Sequence, residues 1–455
     1  MKHRQFDRTE LFETMPIHKA VILQAIPAVI SQLIILCYNL ADSYFVGLLN
    51  DPAQTASVGV AMGAFMMLTA ISNLFGVGGA SVLSQSLGRK DIDSVRRVSS
   101  IAFWCGVFAP VIYMLILAPM LMPFLRLVGG TDETLILARN YVMWTTYIGG
   151  IPATLNIMLA NLVRAEGKSG IAMTGVSMGA VINIILDPFF VLPRFLGMGA
   201  AGAGCATAIS NLIGTMFFIA YVLRSKDTVL SFAPGHLRYF KKYISRILRI
   251  GFPSALQFLL TIAAVSATTK FVSLYSTEAV AAFGIEKRLD QLPLFFSIGI
   301  ANGLLPLLAY NYASGNHERR KAAFRFGSGI AVFFALCSLI LYECAAPQLC
   351  RIFIDHAETV RLAARFLRIQ IIAQPLVAVN YPMIIQFQAM GQVKEAMITS
   401  ILRKGVLDIP LLFLMNWLIP LYGCLWVQVI VDSVSLIVCL ILYRRMNRRL
   451  AVCSE

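Results

Sequence analysis

Long apolar runs, separated by short basic or polar stretches, constrain this chain more than any other feature. The runs cover roughly 16–46, 54–86, 94–124, 134–162, 168–194 and 200–224, then 243–272, 277–310, 320–345, 357–389, 393–418 and 420–447. A helix needs about 20 apolar residues to cross a hydrocarbon core, and each run meets that length. Only 13% of residues are charged and 58% are hydrophobic, with mean hydropathy +0.75, whereas a soluble domain carries about 25% charge. The expected fold class is therefore all-α, a polytopic membrane protein of about twelve transmembrane helices. Met1–Arg8 is polar and basic and leads into a long first span, so no removable signal peptide is expected.

The net charge of +15 would suggest a nucleic-acid partner if its positions were ignored. Lys2, Arg4, Arg8 and Lys19 precede the first span, Arg89, Lys90, Arg96 and Arg97 follow the second, and Arg164 and Lys168 follow the fourth. Arg224 through Arg249 hold a large cluster, Arg319, Arg320, Lys321 and Arg325 follow the eighth span, and Arg444, Arg445, Arg448 and Arg449 close the chain. Alternate loops carry acids instead: Asp51, Asp132, Glu133 and Glu278. One-sided Lys and Arg mark the cytoplasmic side. Both termini are thus expected in the cytoplasm, with no nucleic-acid partner.

The two halves repeat. Ile26-Pro27 matches Phe252-Pro253, Ser84-Gln85-Ser86-Leu87-Gly88-Arg89-Lys90-Asp91 matches Asn311-Tyr312-Ala313-Ser314-Gly315-Asn316-His317-Glu318 in position, and Ala165-Glu166-Gly167 matches Ala389-Met390-Gly391. Both copies begin on the basic side, so the repeat is parallel, about an axis along the membrane normal. The expected organisation is a six-helix bundle over 1–224, a connector over 225–242 containing Pro234-Gly235, and a second six-helix bundle over 243–455. Such paired bundles rock about a central cavity.

Two acids stand inside the apolar runs. Asp42 has Tyr38 one turn before it and Asn39 three residues before it; Asp187 has Asn183 at the same i,i+4 spacing. An acid at such depth faces a protein interior or a water-filled cavity. No Lys or Arg lies within two turns of Asp42. An unpaired aspartate there can load and release a proton. If the two carboxylates converge with Asn183 and a hydroxyl, their hard oxygens could instead act as metal ligands to Na⁺. The bland alternative is an aspartate that caps a helix end or pairs with a base.

Over its whole length the sequence resembles the multidrug and toxin extrusion (MATE) transporters. The resemblance rests on Pro27, Asn39-Leu40-Ala41-Asp42, Gly78-Gly79-Ala80 through Ser84-Gln85-Ser86-Leu87-Gly88-Arg89-Lys90-Asp91, Arg164-Ala165-Glu166-Gly167, Asn183 to Asp187-Pro188, and Gly199-Ala200-Ala201-Gly202-Ala203-Gly204. It implies a multi-pass antiporter of the bacterial cell (inner) membrane that exports amphipathic, often cationic, small molecules. The exchange would be for H⁺ or Na⁺, with no other cofactor. It further implies that Asp42 and Asp187 bind the coupling ion, with Tyr38, Asn183, Asn156 and Thr207 around them. Another branch of the family places acids on the seventh and tenth helices, where this chain reads Gln257-Phe258-Leu259 and Gln374-Pro375-Leu376 without an acid. Coupling is therefore expected in the first half alone.

Other features leave alternatives open. Glu286-Lys287-Arg288-Leu289-Asp290 lies too deep in the eighth span for a loop. Glu286, Asp290 and Arg288, with Gln257, either line a substrate cavity or belong to a neutralised network. Pro27 removes a backbone hydrogen bond within the first span and is either a hinge or a static kink. Asp408, with Arg403 and Lys404 a turn earlier, reads as a snorkelling ion pair near the basic face. The cysteines lie mostly in apolar runs, and His3, His18, His236, His317 and His356 lie at ends and loops, so no metal cluster is expected from either. Gly167-Lys168-Ser169 lacks the upstream glycine of a phosphate loop, with Leu162 in that place, which argues against ATP. Two rivals remain. A flippase for lipid-linked oligosaccharide would want a cavity rich in cations, such as Lys270, Lys287 and Arg288. A channel would repeat its charges around an axis, whereas Asp42 is matched by Thr268.

Overall fold

The protein, as a computed structural model, is described over residues 9–452. Lys2, His3, Arg4, Arg8 and Cys453, and with them the signal-peptide reading of Met1–Arg8, lie outside the described residues. The first half contains α1 (Ile17–Gly47), α2 (Pro52–Gly88), α3 (Ile92–Leu127), α4 (Asp132–Val142), α5 (Gly150–Ala165), α6 (Ser169–Val191) and α7 (Ala200–Arg224). The second contains α8 (Phe240–Ser273), α9 (Thr277–Ala313), α10 (His317–Arg351), α11 (Ala357–Ile371), α12 (Gln374–Ala389), α13 (Val393–Ile401), α14 (Asp408–Leu418) and α15 (Tyr422–Val452). No strand occurs among the described residues.

Among the described residues, nine helices are each long and apolar enough to cross a membrane, and two bent pairs raise that to eleven. The pairs are α4 with its π-helical extension into α5, bent by 52°, and α11 into α12, bent by 45°. The sequence reads each as one span. Pro152 and Pro375, near the start of the second piece of each pair, cannot donate to the preceding turn, and the helix breaks there. The eleventh run, 393–418, is divided into α13 and α14 by a π turn, Leu402–Val406. All-helical packing of two six-membered bundles results, in a multi-pass membrane protein.

Turn chemistry makes the repeat visible. After α5 the chain turns through Gly167 at φ +91°, and after α12 through Gly391 at φ +71°. Lys90 (φ +60°) and Gly315 (φ +79°) play the same part after α2 and α9. The next helix is capped in each case, by Asp91 accepting from Ser94 N at 2.9 Å and by Asn316 accepting from Arg319 N at 3.0 Å.

α1 packs on α9, and the repeat-related contact is that of α8 on α2. Glycine permits the closest approach. A Cβ on Gly78 would stand 2.2 Å from the Ile247 carbonyl oxygen, and one on its counterpart Gly303 would stand 2.6 Å from Ala25 Cα. The largest apolar core joins residues of both halves at the basic end, while two smaller cores, one per half, occupy the other end. Hydrogen bonds follow the same division. Ser81 Oγ donates to Gln388 O at 2.7 Å, Gln85 Nε2 to Ala389 O at 2.7 Å, and Tyr310 Oη to Glu13 at 2.6 Å, all at the basic end. The halves are closed at that end.

The connector is strapped to the first half. Ser99 and Ser231 exchange contacts, Ser100 Oγ donates to Ala233 O, Trp104 Nε1 donates to Phe232 O, and Thr228 Oγ1 donates to Glu166. Composition alone marks this stretch as basic without showing where it lies.

Candidate cation-coupling site

In the first half, α1 supplies Tyr38 and Asp42, and it packs on α6, which supplies Asn183 and Asp187. α7 packs on both α5 and α6 and adds Thr207 and Asn211. Asn183 Nδ2 donates to Asp187 Oδ1 at 3.5 Å and to Thr207 Oγ1 at 3.3 Å. Asn211 Nδ2 donates to the Thr207 carbonyl at 2.9 Å, and Asn156 Nδ2 of α5 donates to Asn211 Oδ1 at 3.0 Å. Gly214 makes room for that last amide, since a Cβ there would stand 3.0 Å from Asn156.

The acceptor side of this network is unfilled. Asp42 Oδ1, Asp187 Oδ2, Asn183 Oδ1 and Asn156 Oδ1 are buried oxygens that accept no hydrogen bond from the described residues. Asp187 is fully buried and Asn183 almost so. Asp42 and Asp187 lie near one another, with the neutral phenols of Tyr38 and Tyr141 beside them. Each buried acceptor left unmatched costs about 1–3 kcal/mol, and two nearby carboxylates resist sharing a site while both are ionised. Both costs are relieved by a positive species, either a proton or a hard cation bound through oxygen.

Six of the residues read from the sequence are thus brought together: Tyr38, Asp42, Asn156, Asn183, Asp187 and Thr207. Asn39 is not joined to them by any described hydrogen bond; its backbone carbonyl accepts from Ser43 Oγ at 3.0 Å within α1. Pro27 lies fifteen residues before Asp42 on α1, roughly 22 Å along the axis. Tyr141 and Asn211 escape the sequence reading. Asn211 does carry a signal, four residues after Thr207. Tyr141 carries none, because only the packing of α4 beside α7 relates it to the acids.

The second half holds a different polar system. Thr268, in the place of Asp42, donates to the Ala264 carbonyl at 2.9 Å. Fully buried Glu286 pairs with Lys287 at 3.4 Å, Lys287 approaches Asp290 at 4.0 Å, and Gln374 donates to Asp290 at 2.5 Å. Arg288 is exposed, and no described contact ties Gln257 to these charges. Deeper in the half, Arg403 Nε donates to Asp432 at 2.5 Å with both side chains buried, and Gln428 donates to the same carboxylate. Lys404 pairs with Asp408 at 3.4 Å and donates to Gln428 at 2.5 Å. This corrects the snorkelling reading of Asp408. Its pairing with Lys404 is present, but both are buried within the bundle, and Arg403 turns to Asp432. Asp432 lies 29 residues beyond Arg403, so no local spacing announces the pair.

Two repeat-related helical bundles, closed on one another at one end and bearing ionisable clusters in their interiors, define a secondary-transporter architecture. The MatE family model matches residues 27–189 and 253–414, one match in each half, and the chain belongs to that family. It is 30% identical over 441 residues to the multidrug export protein MepA of Staphylococcus saprophyticus, covering 97% of this chain and 96% of that one. Solved MATE structures share the fold. One in complex with MaL6 superposes with TM-score 0.92 at 23% identity, covering 98% of this chain and 99% of that one. Another, an outward-facing multidrug resistance MATE transporter of the MOP superfamily, gives TM-score 0.90 at 24% identity with the same coverage.

Proposed function

We propose that this chain exports amphipathic, chiefly cationic, small molecules across a bacterial cell (inner) membrane in exchange for H⁺ or Na⁺. The observation that carries the reading is the cluster of buried, unmatched oxygens on Asp42, Asp187, Asn183 and Asn156. Support for the substrate class comes from MepA, a multidrug export protein 30% identical over nearly the full length. The one-sided Lys and Arg support a cytoplasmic position for both termini and for the closed end. The opposite end then faces outside, so the coupling ion enters from there.

The coupling follows from electrostatics. An ion at Asp42 and Asp187 removes one of the two negative charges carried there by α1 and α6. That changes which packing of α1 is lowest in free energy. A ligand shifts a conformational equilibrium only by its differential affinity for the two states, so ion and drug prefer different conformers. Pro27, with no N–H to donate, is the position on α1 best able to absorb a change of bend. In the second half, Asp290 and Lys287 are partly exposed and suited to meet substrate, whereas Glu286 is fully buried. Offsetting of Lys287 by two acids disfavours the flippase reading, which needs a cationic cavity.

Ethidium efflux in a pump-deficient bacterial host tests the proposal, with the proton and Na⁺ gradients collapsed separately. Efflux abolished by collapse of one gradient is expected. Efflux indifferent to both would contradict ion coupling.

A further inference from the structure

At the closed end, the seam between the halves holds a recess of about 400 Å³ that the coupling reading does not use. Arg89 and Gln85 enter it from α2, Lys242, Arg246 and Arg249 from the first turns of α8, and Tyr312 from α9. Among the described residues no carboxylate lines it. Asp91, which caps α3, interacts with Lys242 from outside the lining. The floor is fixed, because buried Gln85 is held by the Ala389 carbonyl and accepts from Arg246.

The repeat shows what such a recess can hold. Its counterpart in the other half lies between the start of α1, the end of α9 and the turn at Gly167. There the chain fills the space with its own segment, Glu10–Thr14. Phe12 is fully buried and stacks on Tyr310 at 4.7 Å, and Leu11 and Phe12 press on Gly167. Arg319 donates to the Phe12 and Leu11 carbonyls, and the Glu13 carboxylate meets Tyr310 and Lys90. In the second half the equivalent stretch, Pro234–Tyr239, runs beside α3 instead. The recess it leaves is lined by four cationic side chains.

We propose that this recess binds a phosphate-type anion, carried by an anionic phospholipid headgroup or by free phosphate. Guanidinium groups match phosphate oxygens geometrically, and basic pockets between spanning helices on the cytoplasmic side take anionic headgroups. Arg89 belongs to one half and the other three cations to the second, so the anion bridges the seam. The site is independent of Asp42 and Asp187, and its test does not depend on transport.

The experiment follows the thermal unfolding midpoint of the purified full chain. One arm titrates inorganic phosphate against chloride at constant ionic strength. A second compares nanodiscs of phosphatidylcholine with and without phosphatidylglycerol. Protection by phosphate identifies free phosphate as a ligand, and protection by phosphatidylglycerol alone identifies the headgroup. In either case Lys242→Gln/Arg249→Gln, which alters exposed side chains, is expected to weaken the apparent affinity about tenfold, as expected for loss of a charge-assisted contact. Arg89→Gln should weaken it from the other half; if that variant fails to fold, the α8 variant still decides. Protection by neither anion, or equal protection of native and variant protein, overturns the proposal.

Discussion

Asp42 and Asp187 act as one unit if a single ion satisfies both. Asp42→Asn and Asp187→Asn should then each abolish ion-driven efflux, and the double variant should be no worse than either single one, because residues sharing a network are non-additive. Efflux assays on all three variants decide this: two partial losses that multiply would mean separate sites. Asn211 is expected to matter through Asn156. Asn211→Ala removes the acceptor that fixes the Asn156 amide and should lower stability by about 1–3 kcal/mol, read from thermal or denaturant unfolding in detergent. No change would show that water replaces the bond. At this scale the two acids are legible in the sequence because a carboxylate inside an aliphatic run has few bland explanations. Tyr141 is not, because tyrosine is at home in apolar runs and its nearness to Asp42 exists only after α4 has bent and docked.

Among the helices, the closed end depends on contacts that admit no side chain. A Cβ on Gly251 would stand 1.8 Å from the Leu74 carbonyl oxygen, and backbone cannot withdraw as a flexible side chain can. Gly251→Val should therefore disfavour the closed seam by about 1–3 kcal/mol or more. Cysteine pairs across α2 and α8 would report it: cross-linking should fall sharply in the variant, and unchanged cross-linking would show that the helices part without cost. Within the second bundle, Asp432→Asn leaves Arg403 buried without its counter-charge. The expected loss is about 3–5 kcal/mol, seen as a lower unfolding midpoint. Helix existence was readable from the apolar runs because length and hydropathy suffice for it. The breaks at Gly149, Ala373 and Leu402–Val406 were not, since proline and glycine are frequent in spanning helices and only packing shows which of them interrupt one.

For the molecule as a whole, the repeat was legible because turns conserve their chemistry in both copies, as at Gly167 and Gly391. What differs between the copies is the balance of charge: among the described residues Asp42 and Asp187 pair with no Lys or Arg, whereas Glu286, Asp290, Asp408 and Asp432 each do. That asymmetry is the ground for proposing that coupling belongs to the first half, and reconstitution tests the proposal most directly. Native protein, Asp42→Asn and Asp187→Asn would be sealed into vesicles, with an H⁺ or a Na⁺ gradient imposed in turn and ethidium movement followed. Native vesicles should move ethidium against its concentration under one of the two gradients, and both variants should fall to the level of protein-free vesicles. Gradient-driven movement at the native rate in either variant would contradict the assignment and return the ion site to the second half.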